Sequence, residues 1–189
     1  MDLELNGKVA LVSGGSRGIG KAIATALVAE GCDVAICARG AEGLVRAAEE
    51  IRSAGDGRVL PVTVDMTRPE AAAEFVQRAV DEFGGIDIVV NNVGGNRRKP
   101  CVETTDHDWH ELLELNLLSG LRLSREAIPH LERRGGGAIV FNSSVWGREA
   151  GGPELTLYNT TKSAVISAAK IMALELAPRG IRVNSIAPG

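Results

Sequence analysis

Aromatic residues and long apolar runs are both scarce in this sequence. Only three Phe, two Trp and one Tyr occur among 189 residues, so a core must be built mostly from Ala, Val, Ile and Leu. No apolar run approaches the ~18 residues that a membrane-spanning helix requires. A basic excess is missing too, since 21 Lys and Arg face 24 Asp and Glu. This balance argues against binding to nucleic acid or to a membrane surface.

Cysteine is equally rare. The three cysteines, at positions 32, 37 and 101, form no C-x-x-C pair, so no disulfide framework is predicted and a reducing cytoplasm is the expected location. Residues 1–4 include two acids and no apolar stretch, so no signal peptide is predicted. The three histidines lack a further ligand at a metal-binding spacing, so no metal site is predicted.

Glycine is the residue in excess, at 23 of 189, well above the usage of about 7% in average proteins. Small aliphatic residues combined with many glycines are typical of a buried parallel sheet on which helices pack closely. The length favours a single domain over residues 1–189, because domains average roughly 150 residues.

Six short apolar runs alternate with helical patterns. Strands are predicted at 9–12, 34–37, 59–65, 86–90, 138–141 and 182–186. Helices are predicted from the glycine turn to about residue 30 and over 42–54, 69–83, 106–133 and 157–176. This alternation predicts an α/β fold of the Rossmann type, a doubly wound parallel sheet in three layers. Ligands of such sheets bind beyond the carboxyl ends of the strands.

The turn SGGSRGIG at 13–20 joins the first strand to the first helix. Glycines at 14, 18 and 20 would let the backbone approach a pyrophosphate, whose charge the helix N-terminus stabilises. A tight strand–helix connection without a ligand is the alternative interpretation. The strand before the turn and the helix after it favour a dinucleotide site.

The end of the second strand indicates which dinucleotide is bound. An acidic residue at this place binds the ribose 2′-hydroxyl of NAD, but here the sequence reads Cys37-Ala38-Arg39. Arg17 in the glycine turn supplies a second cation. Two arginines and no acid favour a 2′-phosphate, and so NADP over NAD. The alternative is that both arginines are simply solvated.

A candidate catalytic pair lies on the last helix, where Tyr158, the only tyrosine, precedes Lys162 by four residues. Positions i and i+4 share a helix face, and an ammonium beside a phenol stabilises the phenolate. Such a phenol can donate or accept a proton at a carbonyl. Ser143 and Ser144 follow the fifth strand and could polarise a substrate oxygen, while Asn116 stands in a leucine run and must need a hydrogen-bonding partner.

Taken together, these motifs resemble the short-chain dehydrogenase/reductase family over the whole chain. The matching features are the turn at 13–20, Asp65 after the third strand, NNVG at 91–94, Asn116, Ser144, Tyr158 with Lys162, and Pro188-Gly189. The S-x-x-G context of residues 144–147 selects Ser144 rather than Ser143 as the catalytic serine.

The resemblance implies catalytic roles for four residues. Tyr158 would be the general acid in reduction, and Lys162 would stabilise its phenolate and bind the nicotinamide ribose. Ser144 would hold the substrate carbonyl, and Asn116 would position a water that links Lys162 to solvent. The expected cofactor contacts are Gly14, Ser16, Arg17, Gly18, Ile19, Gly20, Arg39, Asp65, Met66, Asn91, Gly94, Tyr158, Lys162, Pro188 and Gly189.

The predicted function is an NADP(H)-dependent oxidoreductase that interconverts a ketone and a secondary alcohol. A 3-oxoacyl thioester is the first substrate candidate, from resemblance alone, and a sugar or other small alcohol is the alternative. A non-catalytic NADP-binding sensor or scaffold is the competing class of function. Members of the family normally continue into a substrate-covering segment and a seventh strand, so we expect the chain to be a fragment.

Three further features concern the oligomeric state and the surroundings of the substrate site. Helices around 106–130 and 157–176 are apolar on nearly all sides, which predicts burial on two faces and a homo-oligomer, a tetramer or a dimer. The basic run at 97–99 could attract an anionic substrate or could be a solvated loop. Trp146 and Leu157 could line the substrate site or only pack in the core.

Overall fold

The computed structural model describes residues 3–189, so residues 1 and 2, on which the signal-peptide prediction partly rests, lie outside the described residues. The strands are β1 (Val9–Ser13), β2 (Asp33–Ala38), β3 (Val59–Thr63), β4 (Ile88–Asn91), β5 (Gly137–Asn142) and β6 (Ile181–Ile186). The helices are α1 (Gly18–Ala29), α2 (Ala41–Arg52), α3 (Ala71–Phe83), α4 (Asp106–Leu113), α5 (Ser119–Arg133) and α6 (Thr156–Leu176). A π-helical segment, Glu114–Leu118, joins α4 to α5.

All six strands pair in parallel in the order β3-β2-β1-β4-β5-β6, which confirms the predicted Rossmann-type sheet. Alternate side chains of each strand face opposite layers. Val12 and Ile36 pack with α1 and α2 on one face, while Leu11 and Val89 pack with α3, α5 and α6 on the other. The order reverses between β1 and β4, so a crevice for ligands opens at their carboxyl ends.

The third helix begins later than predicted, at Ala71 rather than at residue 69. The cause is a local turn around Asp65, whose Oδ1 accepts hydrogen bonds from the backbone N (3.0 Å) and Oγ1 (2.8 Å) of Thr67. The backbone N of Arg68 donates to the carbonyl of Asp65 (3.0 Å). This Asx-type turn competes with helix formation, and it also ends the third strand at Thr63 rather than at residue 65.

The helix predicted over 106–133 is not continuous. The π-helical segment interrupts it, and Asn116 lies at the centre of that segment. Inserting a π-turn rotates the helix faces before and after it relative to a continuous α-helix. The interruption therefore separates a helix that packs near the crevice, α4, from one that covers the sheet, α5.

The last helix carries apolar side chains that the described residues leave exposed. Ile171 is 54% and Leu174 73% exposed, although Val165 and Ala169 on the same helix are buried against the sheet. No helix within residues 3–189 combines the length and the apolar character that crossing a membrane requires.

Candidate active site

Two adjoining cavities lie at the carboxyl edge of the sheet. The larger, of about 680 Å³, is bounded by the glycine turn and by the ends of β2 and β3. The smaller, of about 450 Å³, is bounded by the end of β5, the start of α6 and the last two residues. Ile19, Asn92, Gly94 and Gly95 line both. One elongated ligand could therefore extend from the glycine turn to Tyr158.

Most of the sequence-predicted residues line these cavities. Those around the larger one are Gly14, Ser16, Arg17, Gly18, Ile19, Arg39, Asp65, Met66 and Gly94. Those around the smaller one are Ile19, Gly94, Ser144, Tyr158, Lys162, Pro188 and Gly189. The fold thus brings together residues that are up to 175 positions apart, as Gly14 and Gly189 are.

The glycine turn fits a phosphate group. A Cβ on Gly20 would lie 2.3 Å from the carbonyl oxygen of Gly14 and 2.4 Å from Nδ2 of Asn92, so only glycine allows this close approach. The first helical turn of α1 contains no acidic residue, and the side chain of Arg17 at its N-cap makes no capping hydrogen bond. The N-terminal N–H groups therefore remain available to an anion.

Arg17 and Arg39 are exposed and line the larger cavity. Neither guanidinium makes a hydrogen bond or ion pair with another residue in the described range 3–189. Asp65 lies close to Arg39. Although burial alone would raise its pKa, hydrogen bonds from Thr67 and the charge of Arg39 together lower the pKa of Asp65. The cavity thus presents two unpaired guanidinium groups beside an ionised carboxylate.

Tyr158 and Lys162 lie together in the smaller cavity. The ammonium nitrogen of Lys162 is 5.8 Å from the centroid of the Tyr158 ring and donates a hydrogen bond to the backbone carbonyl of Asn142 (2.8 Å). Lys162 is only 4% exposed, and this burial lowers its pKa from 10.5 to about 8. The environment thus places the titration of Lys162 close to neutral pH.

Asn116 approaches this pair from the π-helical segment. Its Oδ1 accepts a hydrogen bond from the backbone N of Gly95 (2.8 Å), and its Nδ2 donates to the carbonyl of Gly95 (3.0 Å) and to Oγ1 of Thr161 (2.9 Å). Both amide hydrogens are therefore committed to protein acceptors. The structure supplies the partners that the leucine run lacks, and a relay water could bond to the Asn116 side chain only through the second lone pair of Oδ1. The relay role itself stays a prediction.

The two serines after β5 have different partners. Oγ of Ser143 donates to the backbone carbonyl of Lys162 (2.9 Å), which ties the end of β5 to α6. Oγ of Ser144 accepts a hydrogen bond from the backbone N of Trp146 (3.2 Å), so its own hydrogen remains free to be donated. Gly147 allows this arrangement, because a Cβ there would lie 2.9 Å from the carbonyl of Lys162.

Exchanging each serine for alanine distinguishes these roles. We expect Ser144→Ala to lower kcat by about 10²–10³-fold, as the loss of one donor to a developing oxyanion does. We expect Ser143→Ala to lower kcat far less and to lower the free energy of unfolding by about 1 kcal/mol, because it removes one buried hydrogen bond. Steady-state kinetics and urea unfolding of both variants measure this. An inactive Ser143 variant beside an active Ser144 variant would reverse the assignment.

Asn91, predicted as a cofactor contact, does not present its side chain to the cavities. It is buried, and its Nδ2 donates to Oγ of Ser124 in α5 (2.9 Å). Asn92 occupies the expected place instead, and its Nδ2 donates to the carbonyls of Ser13 and Gly14 (both 3.1 Å). The reason is the alternation of side chains along β4, which turns Asn91 toward α5 and Asn92 toward α1.

Sequence reasoning missed Asn142. Its Nδ2 donates to Oδ1 of Asn92 (2.8 Å), and its backbone carbonyl accepts from Lys162. A chain of hydrogen bonds therefore links the glycine turn through Asn92 and Asn142 to Lys162. A polar residue at the carboxyl end of a buried strand was the signal that could have revealed it.

The basic run at 97–99 is mostly neutralised within the protein. Arg97 and Lys99 both donate to the carboxylate of Asp108, at 2.5 and 2.8 Å. Hydrogen bonds from Lys99, Thr105 and Arg97 hold the pKa of Asp108 well below its usual range. These contacts fasten the loop after β4 to α4, and Arg98 alone of the run has no ion pair with another residue of the described part.

Comparison with known proteins gives a consistent result. A model of the family described as short chain dehydrogenase matches residues 8–189. The chain is 41% identical over 186 residues to an uncharacterised oxidoreductase of Mycobacterium tuberculosis, covering 98% of this chain and 70% of that protein. It is 37% identical over 187 residues to the 3-oxoacyl-[acyl-carrier-protein] reductase FabG of Vibrio cholerae, covering 99% of this chain and 75% of that protein.

A solved structure is also very similar. The crystal structure of L-sorbose reductase from Gluconobacter frateurii, complexed with NADPH and L-sorbose, superimposes with a TM-score of 0.97 at 38% sequence identity. The match covers 100% of this chain and 72% of that one. The likeness therefore extends over the glycine turn, both cavities and the Tyr158 helix.

Proposed function

The chain belongs to the short-chain dehydrogenase family, and from this premise we propose that it interconverts a ketone and a secondary alcohol with NADP(H) as the hydride carrier. One observation carries the proposal. Ser144, Tyr158 and Lys162 line a single cavity, and that cavity adjoins the one lined by Arg17 and Arg39. A proton donor and a hydride carrier can therefore meet at one substrate carbonyl group, the proton at its oxygen and the hydride at its carbon.

In reduction, the hydroxyl of Ser144 donates a hydrogen bond to the substrate carbonyl oxygen, since the backbone N of Trp146 already occupies an acceptor site of its Oγ. Tyr158 Oη gives its proton to the same oxygen. The ammonium group of Lys162, held by the carbonyl of Asn142, stabilises the phenolate that is left. A bound nicotinamide cofactor supplies the hydride in this direction and accepts it in oxidation.

NADP is the proposed carrier because of the two unpaired arginines. A guanidinium binds a 2′-phosphate through charge-assisted hydrogen bonds. The carboxyl end of β2 has no carboxylate that could accept a hydrogen bond from a ribose 2′-hydroxyl. Asp65, one strand further on, is held by Thr67. The NADPH bound to the L-sorbose reductase neighbour supports the same choice.

Removing Arg39 tests the cofactor assignment. We expect Arg39→Ala to lower kcat/KM for NADPH by about 10–100-fold, the loss of one hydrogen bond to a charged group of roughly 1.5–3 kcal/mol. The value for NADH should hardly change. Arg46→Ala is the matched control, because Arg46 lies in α2, is paired with Glu42 and lines neither cavity. Equal kcat/KM for NADPH and NADH in the unaltered chain would contradict the proposal.

The relatives support two classes of substrate, a 3-oxoacyl thioester, as for FabG, and a sugar, as for L-sorbose reductase. The test of the proposed function is NADPH consumption against a panel of acyl thioesters, ketoses and aromatic ketones. Turnover of any of them supports it. NADPH binding without turnover across the panel would instead favour a sensor or scaffold.

The exposed apolar side chains of α6 support a homo-oligomer that includes this helix and the helices around 106–130. Light scattering at micromolar concentration measures the mass, and a monomeric value would contradict this assembly.

A further inference from the structure

Thr161 connects the proposed catalytic residues without facing either cavity. It directly precedes Lys162 in α6, is 0% exposed and lines neither cavity. Its Oγ1 accepts a hydrogen bond from Nδ2 of Asn116 (2.9 Å), and it lies 3.0 Å from the backbone carbonyl oxygens of both Leu157 and Tyr158. A side chain placed in this way can act on the reaction only by holding its neighbours.

The hydroxyl hydrogen of Thr161 determines which end of the Asn116 amide faces it. A hydroxyl group carries one hydrogen, and here that hydrogen is shared by the carbonyls of Leu157 and Tyr158, which can only accept. Toward Asn116, Oγ1 is therefore an acceptor, and it can bond only to the nitrogen end of the amide. Leu157, which the sequence left open between the substrate site and the core, is 1% exposed and belongs to the core, so its carbonyl is held in place.

Gly95 fixes the same orientation of the amide from the loop after β4. Its backbone N donates to Oδ1 of Asn116 (2.8 Å), and its carbonyl accepts from Nδ2 (3.0 Å). Rotating the amide by 180° would bring Oδ1 against two acceptors, the carbonyl of Gly95 and Oγ1 of Thr161, in a buried site, where unpaired polar groups are costly. Of these two partners only Thr161 acts through a side chain, so it is the one that a substitution can remove.

The oxygen end of the amide lies near Lys162. A Cβ on Gly94 would lie 3.2 Å from Oδ1 of Asn116 and 3.1 Å from Nζ of Lys162, so both atoms border the same glycine. The described residues leave one acceptor position of Asn116 free, the second lone pair of Oδ1. A relay water on Asn116 therefore has to bond at the end of the amide that borders the same glycine as the ammonium group.

We infer that Thr161 is a positioning residue for proton resupply: it holds the amide of Asn116 with its oxygen toward Lys162, and so keeps the entry route for protons connected. Each reduction takes one proton from Tyr158 and one hydride from NADPH. The ammonium group of Lys162 returns a proton to the phenolate, and a proton from solvent then replaces it through the water on Asn116. This inference rests on the proposed function and on the relay that the family resemblance implies, because it concerns the same site.

The first turnover separates proton resupply from the chemical step, because the proton that Tyr158 gives first is already on the enzyme. Thr161→Val removes the hydroxyl group and keeps the shape of the side chain. We expect it to leave the rate of the first turnover unchanged, since the carbonyls of Leu157 and Tyr158 keep their hydrogen bonds within α6. It should lower kcat by about tenfold, the effect of one buried amide hydrogen left without its acceptor. Stopped-flow mixing of the NADPH complex with the ketone that the unaltered chain reduces fastest measures both rates.

Further variants make the test specific. Thr161→Ser keeps the hydroxyl group and should have the kcat of the unaltered chain. Thr160→Val removes a hydroxyl group from the neighbouring exposed position and should alter neither rate. Thr161→Val added to Asn116→Ala should lower kcat no further than Asn116→Ala alone, because Thr161 acts through Asn116. Thr161→Ala removes the same hydroxyl group, and it takes the place of Thr161→Val if urea unfolding shows that the valine variant does not fold.

The outcomes separate this inference from the proposed function. If the first turnover and kcat of Thr161→Val fall by the same factor, Thr161 supports the reacting groups themselves and the inference is wrong. It is equally wrong if kcat does not change, or if the double variant is slower than Asn116→Ala. In these three cases the unaltered chain still reduces a ketone, so the proposed function stands. If NADPH binds and no ketone of the panel turns over, the proposed function is wrong and the inference falls with it.

Discussion

Replacing Tyr158 by Phe is expected to lower kcat for ketone reduction by about 10²–10⁴-fold, the usual contribution of a positioned general acid. The substitution removes only Oη. The ring and its edge-to-face contact with Trp146 remain, so the wall of the cavity keeps its shape. The dissociation constant of NADPH, measured by fluorescence, should hardly change, since the arginines and the glycine turn that are proposed to hold its phosphates lie in the other cavity.

Thr160→Val is the matched control. It removes a hydroxyl from the same turn of α6, but from an exposed position outside both cavities. Its kcat should equal that of the unaltered chain. Retained activity in Tyr158→Phe would show that another group delivers the proton, and Ser144 would be the next candidate because its hydroxyl faces the same cavity.

The parallel sheet could be predicted because buried strands and their helices leave a periodic trace. Runs such as 9–12 and 34–37 are apolar throughout, as expected of strands covered on both faces, and the structure gives both a neighbouring strand on each side. Boundaries shifted where a side chain formed a local hydrogen bond. The turn around Asp65 makes α3 begin at Ala71 rather than at residue 69. This turn depends on the rotamer of the Asp65 side chain, which the apolar periodicity of the sequence does not predict.

The π-helical segment could not be predicted for a different reason. Residues 114–118 keep the composition of a helix, and nothing local marks an extra residue in the turn. Its centre, Asn116, is bound by Gly95 and by Thr161, which is 45 positions away. Such long-range partners are known only once the fold is formed, although a polar residue inside a leucine run did indicate that partners exist.

Asn92 is an intermediate case, because it could have been found and was not. Val89 faces the α3 side of the sheet and Val90 faces the α1 side. Continuing this alternation places Asn91 toward α5 and Asn92 toward the glycine turn, as observed. Motif matching alone treats the two asparagines as equivalent, whereas the period of a strand distinguishes them.

The buried ammonium group of Lys162 is expected to lower the free energy of unfolding of the chain. Burial lowers its pKa to about 8, so below that pH the folded chain holds a desolvated ammonium group. The unfolded chain binds this proton more tightly, and the free energy of unfolding therefore rises with pH between 8 and the ordinary value of 10.5. Lys162→Met removes the charge, and we expect it to be more stable than the unaltered chain below pH 8 in urea unfolding, with the difference shrinking at higher pH.

Activity should change in the opposite sense. The ammonium form stabilises the Tyr158 phenolate, so kcat/KM for reduction in the unaltered chain should fall as the pH rises through about 8. Lys162→Met should be slower by about 10²-fold or more below pH 8, and its kcat/KM should not show this decline. Lys170→Met, at an exposed position of the same helix, should alter neither profile. We expect Lys162→Met to be more stable and slower, which is the result for a buried charge that is kept for catalysis. A variant that is both less stable and slower would instead give Lys162 a structural role.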